Sequence, residues 1–159
     1  MHIHKLEKIW LILGMGCMFI FLSITGIQFF FVGHHNQASA QSVVLDPQKV
    51  EQTPPFDQPG LKKIGDHQYE ADIIAMTFGY KPNKLTIPVG STVTFKVTSK
   101  DVVHSFTIPG TDVNLAVTPG LVNDATYTFK KTGNILVLCN EYCGAGHQLM
   151  KMEVEVVNE

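Results

Sequence analysis

Residues 139–150 read Cys-Asn-Glu-Tyr-Cys-Gly-Ala-Gly-His-Gln-Leu-Met, so two thiols, an imidazole and a thioether fall within twelve residues. These are soft or borderline donors, the set that suits copper, whereas magnesium and calcium take oxygen ligands. A mononuclear blue copper site uses one Cys, two His and a weak axial Met. Cys139 and Cys143 together supply one sulfur more than that. The spacing C-x3-C-x3-H-x2-M suggests two sulfurs bridging two metals, a binuclear copper electron-transfer centre. Such a centre needs a second imidazole from outside the loop. His104, 35 residues before Cys139 at the start of a short strand, is the candidate, while His67 has no comparable setting. Two simpler uses of the same residues exist. A Cys2His2 zinc site leaves Met150 idle. A Cys139–Cys143 disulfide leaves both the imidazoles and the thioether without purpose.

A site of this kind needs a rigid frame, and the pattern after residue 66 is β. Residues 69–76 read as one strand. In Thr92-Val93-Thr94-Phe95-Lys96-Val97-Thr98 the apolar residues share one face and the polar residues the other, the period of a half-buried strand. His104-Ser105-Phe106-Thr107-Ile108 stops at the turn pair Pro109-Gly110. Thr126-Tyr127-Thr128-Phe129-Lys130 alternates again. Ile135-Leu136-Val137-Leu138 is continuously apolar, predicts a central core strand, and leads straight into Cys139. Met152, Val154 and Val156 alternate with Lys151, Glu153 and Glu155 in a closing strand. Seven or eight short strands with regular turns predict a sandwich or barrel. A strand-borne His beside a Cys, His and Met loop between two late strands is the cupredoxin-like arrangement. Met76 and Met152 read as core.

Upstream, residues 9–32 run 24 residues without a charge. As a helix this is about 36 Å long, enough to cross a hydrocarbon core with some tilt. Trp10 lies near one end and Phe29, Phe30 and Phe31 near the other, where aromatic belts are expected. Lys5 and Lys8 precede the span and no Lys follows until Lys49, which predicts a cytoplasmic N-terminus and an extracytoplasmic remainder. Ala38-Ser39-Ala40 is acceptable to a signal peptidase, but the apolar run exceeds a signal peptide's core. Cys17, inside the run, reads as an apolar residue of the span rather than a lipidated one. Ser23, Thr25 and Gln28 hint at a face turned to another helix. His34 and His35 read as a polar cap after the span. Residues 33–66, with Pro54-Pro55 and Pro59-Gly60, read as a linker. The expected organisation is a lead at 1–8, a transmembrane helix at 9–32, a linker at 33–66 and a β domain at 67–159.

The whole chain has 159 residues and a formal net charge of −2, too little to argue for a strongly charged partner. All twelve basic residues are Lys, and the absence of arginine forks disfavours nucleic acid.

Taken together, Ala75-Met76-Thr77-Phe78-Gly79-Tyr80-Lys81-Pro82-Asn83, Ser99-Lys100-Asp101-Val102-Val103-His104-Ser105-Phe106 and the loop at 139–150 resemble subunit II of haem–copper cytochrome c oxidases. The single span and the Phe-Gly-Tyr-Lys-Pro-Asn segment are most similar to the B-type enzymes. The two spans and tryptophan-rich patch usual in A-type enzymes are missing; the only Trp is Trp10. The resemblance implies an all-β cupredoxin-like Greek-key barrel or sandwich preceded by one transmembrane helix, in a plasma membrane. It implies that Cys139 and Cys143 bridge two coppers of a CuA centre and that His104 and His147 bind one copper each. Met150 would be a weak axial ligand and the Glu141 carbonyl its counterpart. It further offers the Glu141 carboxylate as a magnesium holder at the contact with subunit I; the alternative is that only the carbonyl matters. Phe78 and Tyr80 are expected near the face where electrons arrive. Asp101 is read as orienting the His104 loop or as a turn cap. The implied partners are the haem-bearing subunit I, a cytochrome c or similar small electron donor, and a copper chaperone or reductant acting before metal insertion. The implied function is electron intake for oxygen reduction, with no independent catalytic site in this chain. The competing functional class is a membrane-tethered copper electron carrier without an oxidase.

Overall fold

A computed structural model describes residues 4–32 and 44–158. The chain forms two compact units, Met1–Gln37 and Ala38–Glu159. Among the described residues, the first holds one helix, α1, Lys5–Ile27, continued by a π-helical turn at Gln28–Val32. It has no buried residue and is long and apolar enough to cross a membrane. The Ser23 hydroxyl donates to the Phe19 carbonyl at 2.8 Å and Thr25 to Phe21 at 2.9 Å. Both hydroxyls are therefore satisfied on their own helix, as serine and threonine in apolar helices often are. They need no neighbouring helix to hold them. His34, His35 and the Ala38-Ser39-Ala40 tripeptide lie outside the described residues.

The second unit is built from β1 Gly60–Gly65, β2 Gln68–Met76, β3 Gly79–Lys81, β4 Lys84–Pro88, β5 Thr92–Ser99, β6 His104–Thr107, β7 Asn114–Val117, β8 Asn123–Thr128, β9 Gly133–Leu138 and β10 Lys151–Val157. One sheet runs β1-β2-β5-β8 with β3 also on β2; the other runs β4-β10-β9-β6-β7. The β2–β5 and β4–β10 pairs are parallel. The inner faces supply the core. Val93, Phe95 and Val97 of β5 point inward, and Phe95 packs on Phe106 at 5.3 Å between ring centroids. Outward, Thr92 meets Thr128 at 2.9 Å and Thr94 meets Thr126 at 3.0 Å, hydroxyl pairs that lock the β5–β8 register.

Three expectations change. Among the described residues ten strands form instead of seven or eight, because β3, β4 and β7 are only three to five residues long and β1 alternates weakly. The run Ile135–Leu138 is central by pairing, since β9 lies between β10 and β6, yet Leu136 is 45 % exposed. That strand is covered on one face only. The segment expected as a linker at 33–66 is no tether from residue 44 onward. Pro47–Gln52 forms a 3-10 turn capped by Asp46, and Val50 and Phe56 are fully buried against Ile74. This strap covers the outer face of β2, so both faces of residues 71–75 are buried. Its Glu51 carboxylate bridges Lys81 at 3.0 Å and Lys100 at 3.1 Å. Beneath it, the buried Asp72 takes Lys62 at 2.8 Å, and the same ammonium donates to the Pro55 carbonyl at 3.4 Å.

Candidate metal centre

Two sheet-borne chain ends meet at one pole of the sandwich. The first residue of β6 is His104, and β9 ends at Leu138, immediately before Cys139. The antiparallel bridge Thr107↔Leu138 joins those strands. The ligand atoms of His104, Cys139 and Cys143 all lie within 4.8 Å of one another, and all three residues are buried. Around them, Cys143 Sγ lies 3.5 Å from His147 Nδ1 and 3.6 Å from Met150 Sδ. Cys139 Sγ lies 3.2 Å from the Glu141 carbonyl oxygen. All six residues marked by the sequence are thus brought together. Both thiols are free, so no disulfide occupies the loop. His147 and Leu149 bound a 3-10 turn that returns the chain to β10 and buries Met150.

The donors fit a soft metal on a structural ground besides their chemistry. His104 Nδ1 is buried and has no hydrogen-bond partner among the described residues. A buried polar atom without a partner is costly, and a metal bond would satisfy it. The other ring nitrogen, Nε2, meets Asp101 Oδ1 at 2.7 Å. A carboxylate in that place fixes a liganding imidazole's tautomer and orientation. Asp101 is itself held by the Thr77 amide at 2.6 Å, by the Thr77 hydroxyl and by the Val102 amide at 2.7 Å. Burial opposes its charge, but the hydrogen bonds from Thr77, His104 and the Val102 backbone outweigh this and hold the carboxyl at about 2. Asp101 therefore orients His104 and caps the turn at once.

Further groups tune the sulfurs. The Ser105 amide points at Cys139 Sγ at 3.5 Å, and the Ser105 hydroxyl accepts from the Asn140 amide. Burial pushes the Cys143 thiol up and the adjacent Cys139 adds to this, while the Phe78 backbone N–H acts in the opposite direction. A buried thiol at Cys143 that resists ionisation suits a site completed by metal, which displaces the proton.

Tyr80 is corrected by the structure. It is only 4 % exposed and its hydroxyl donates to the Ser105 carbonyl, so it belongs to the core beneath His104 rather than to a contact face. Burial, then the neighbouring Cys139 and Cys143, push its hydroxyl well above the usual phenol range, so it stays a neutral donor. Phe78 is 43 % exposed. Tyr142, which the sequence reading passed over, is 81 % exposed, with its ring 5.9 Å from that of His147. Its place between the two cysteines was the available signal. Thr77 and Ser105 were also passed over; Ser105 adjoins His104, but nothing in the sequence pairs Thr77 with Asp101.

A two-sheet β sandwich with a His, Cys, Cys, His, Met cluster at one pole defines a cupredoxin-type domain, here following an apolar helix. The family model "Cytochrome C oxidase subunit II, periplasmic domain" matches residues 71–157. A cytochrome c oxidase subunit 2 from Thermus thermophilus is 36 % identical over 149 residues, 91 % of this chain and 87 % of that one. Another Thermus thermophilus cytochrome c oxidase subunit 2 is 43 % identical over 108 residues, 67 % of this chain and 80 % of that protein. A chain of a heme-copper terminal oxidase dimer superposes with a TM-score of 0.70 at 32 % identity, covering 96 % of this chain and all of the other. The periplasmic domain of subunit II from Bradyrhizobium japonicum shares the fold, with a TM-score of 0.53 at 22 % identity, covering 57 % of this chain and 84 % of that one. The chain belongs to the cytochrome c oxidase subunit II family and is a part of an oxidoreductase complex.

Proposed function

We propose that this chain is the electron-intake subunit of its oxidase, receiving single electrons from a cytochrome c or similar small carrier and handing them to haem in subunit I for oxygen reduction. The observation that carries this reading is the convergence of His104, Cys139 and Cys143 within 4.8 Å, with an unpartnered imidazole nitrogen among them. When bound, a CuA pair would supply a one-electron carrier whose charge is shared by two metals. Cys139 and Cys143 would bridge, His104 and His147 would each hold one copper, and Met150 and the Glu141 carbonyl would be weak outer ligands. The chain's own contribution is rigidity. β6, β9 and β10 fix the three ligand-bearing segments, and Asp101 fixes the His104 ring, so little rearranges when charge changes.

The exposed apolar side chains on the loop, Tyr142 and Leu149, favour an apolar contact for the donor. The same reading gives the Glu141 carboxylate a magnesium shared with subunit I. It also puts the N-terminus in the cytoplasm and the β domain outside a plasma membrane. The buried thiol pair would require a reductant or copper chaperone before loading, since outside compartments oxidise thiols.

The deciding experiment is copper loading of the full chain in detergent. Two coppers per chain, with hyperfine structure from one electron shared by equivalent nuclei, are expected; a single-copper spectrum overturns the binuclear reading. Gentle solubilisation from the native membrane should bring a haem-bearing partner with the chain, and purification alone would favour a tethered carrier.

A further inference from the structure

Phe78 occupies the turn between β2 and β3 with a φ of +71°. That left-handed backbone is rare for an aromatic residue, and such strain persists only where the surroundings enforce it. Gly79 follows directly, yet the strained conformation falls on Phe78 and not on the glycine. The reason lies across the turn. A methyl group added at Gly146 would sit 2.6 Å from Phe78 Cγ and 2.7 Å from Cδ1, and one at Gly144 would sit 3.3 Å from Cε1. The phenyl ring therefore lies directly against the backbone of Cys143-Gly144-Ala145-Gly146-His147. Only glycine leaves room for it at Gly146.

We infer that Phe78 is a positioning residue for the metal loop: its ring, aimed by the left-handed turn, clamps the Gly144 and Gly146 backbone and so fixes Cys143 against His147. This role is additional to the expected one as a contact for incoming electrons, which the 43 % exposure of Phe78 leaves open, and it rests on the metal reading above. It explains three otherwise separate facts: the strain at Phe78, the glycine at position 146, and the half-exposure of a ring that still makes close contacts; Gly144, with a φ of +128°, favours glycine on its own account.

The test uses four full-length chains in detergent: the unaltered protein, Gly146→Ala, Phe78→Gly, and both together. Phe78→Gly keeps the backbone conformation and the amide while removing the ring. Copper release to a chelator, the copper–thiolate absorption and the hyperfine pattern are compared, and thiol alkylation is timed on the metal-free chains. Gly146→Ala alone should speed copper release by about tenfold and change the spectrum, whereas in the Phe78→Gly background it should alter release by less than about twofold. Metal-free alkylation should show the same dependence on background. Equal effects of Gly146→Ala in both backgrounds, or none in either, overturn the clamp. If the unaltered chain binds no copper pair, the metal reading fails on that result, and alkylation alone then decides the clamp.

Discussion

Asp101 Oδ1 stands 2.7 Å from His104 Nε2, while the opposite nitrogen of the same ring is buried with no partner among the described residues. The carboxylate thereby decides which nitrogen is presented to the thiols. Asp101→Ala should lower copper affinity by about 10–100-fold, the usual effect of losing a partner of a liganding imidazole. Asp101→Asn keeps an acceptor oxygen and should lose far less. Competition against a chelator of known affinity measures both; equal losses would mean that charge, not orientation, is what the site requires.

Met150 and Cys143 should separate in their effects. Met150→Leu should shift the reduction potential while leaving two coppers per chain, because a thioether binds weakly. Cys143→Ser should leave at most one copper, because a bridging sulfur is gone. Metal analysis with redox titration checks both.

The strap over β2 should be held by its apolar anchors, not by its ion pairs. Phe56 is fully buried, so Phe56→Ala should destabilise the chain by about 3–5 kcal/mol. Glu51 is largely solvated although it bridges Lys81 and Lys100, so Glu51→Gln should cost under about 1 kcal/mol, and less in high salt. Denaturant melts of the two variants give the ranking.

The Lys62–Asp72 pair carries a pH signature. Burial raises the Asp72 pKa above the usual carboxylate value, and Lys62 works against that rise. A carboxyl whose folded pKa is raised contributes stability below its unfolded pKa and loses it as pH rises through the folded one. Lys62→Met removes the counter-charge. It should cost about 2 kcal/mol near neutral pH, where the carboxylate is left unpaired, after discounting for the half-exposed ammonium. The loss should shrink as the medium is acidified and Asp72 takes a proton. Asp72→Asn should remove the pH dependence. Melting curves between mildly acid and mildly alkaline pH test this, and a flat difference would exclude the pair as its source.

The convergence of the loop's soft donors was legible because they are contiguous in the chain. The place of His104 beside the thiols was legible because a two-copper reading called for a second imidazole and the sequence offered one at a strand start. Tyr80 was misplaced because β3 is only three residues long, and three residues cannot show which face is inward. The strap was missed because Val50 and Phe56 are isolated apolar residues in a proline-rich stretch. Neither makes a period, and their partner Ile74 lies on the face of β2 that alternation assigns to solvent. Leu136 misled in the opposite direction: unbroken apolarity reads as two-sided burial, whereas β9 is covered on one side. The clamp at Phe78 was invisible because it depends on a backbone angle and on the absence of side chains at two glycines.

The parallel pairing of β10 with β4 joins residues 153–157 to residues 84–88. Contacts so distant along the chain close slowly, because a long loop must be ordered before any bond rewards it. The ligand loop sits between β9 and β10, so the strand that leaves it also takes part in this closure. A zinc finger's metal gathers an unfolded chain; here the sheets themselves bring His104, Cys139 and Cys143 together. Without a metal between them, two free thiols so placed are the arrangement that an oxidant can join.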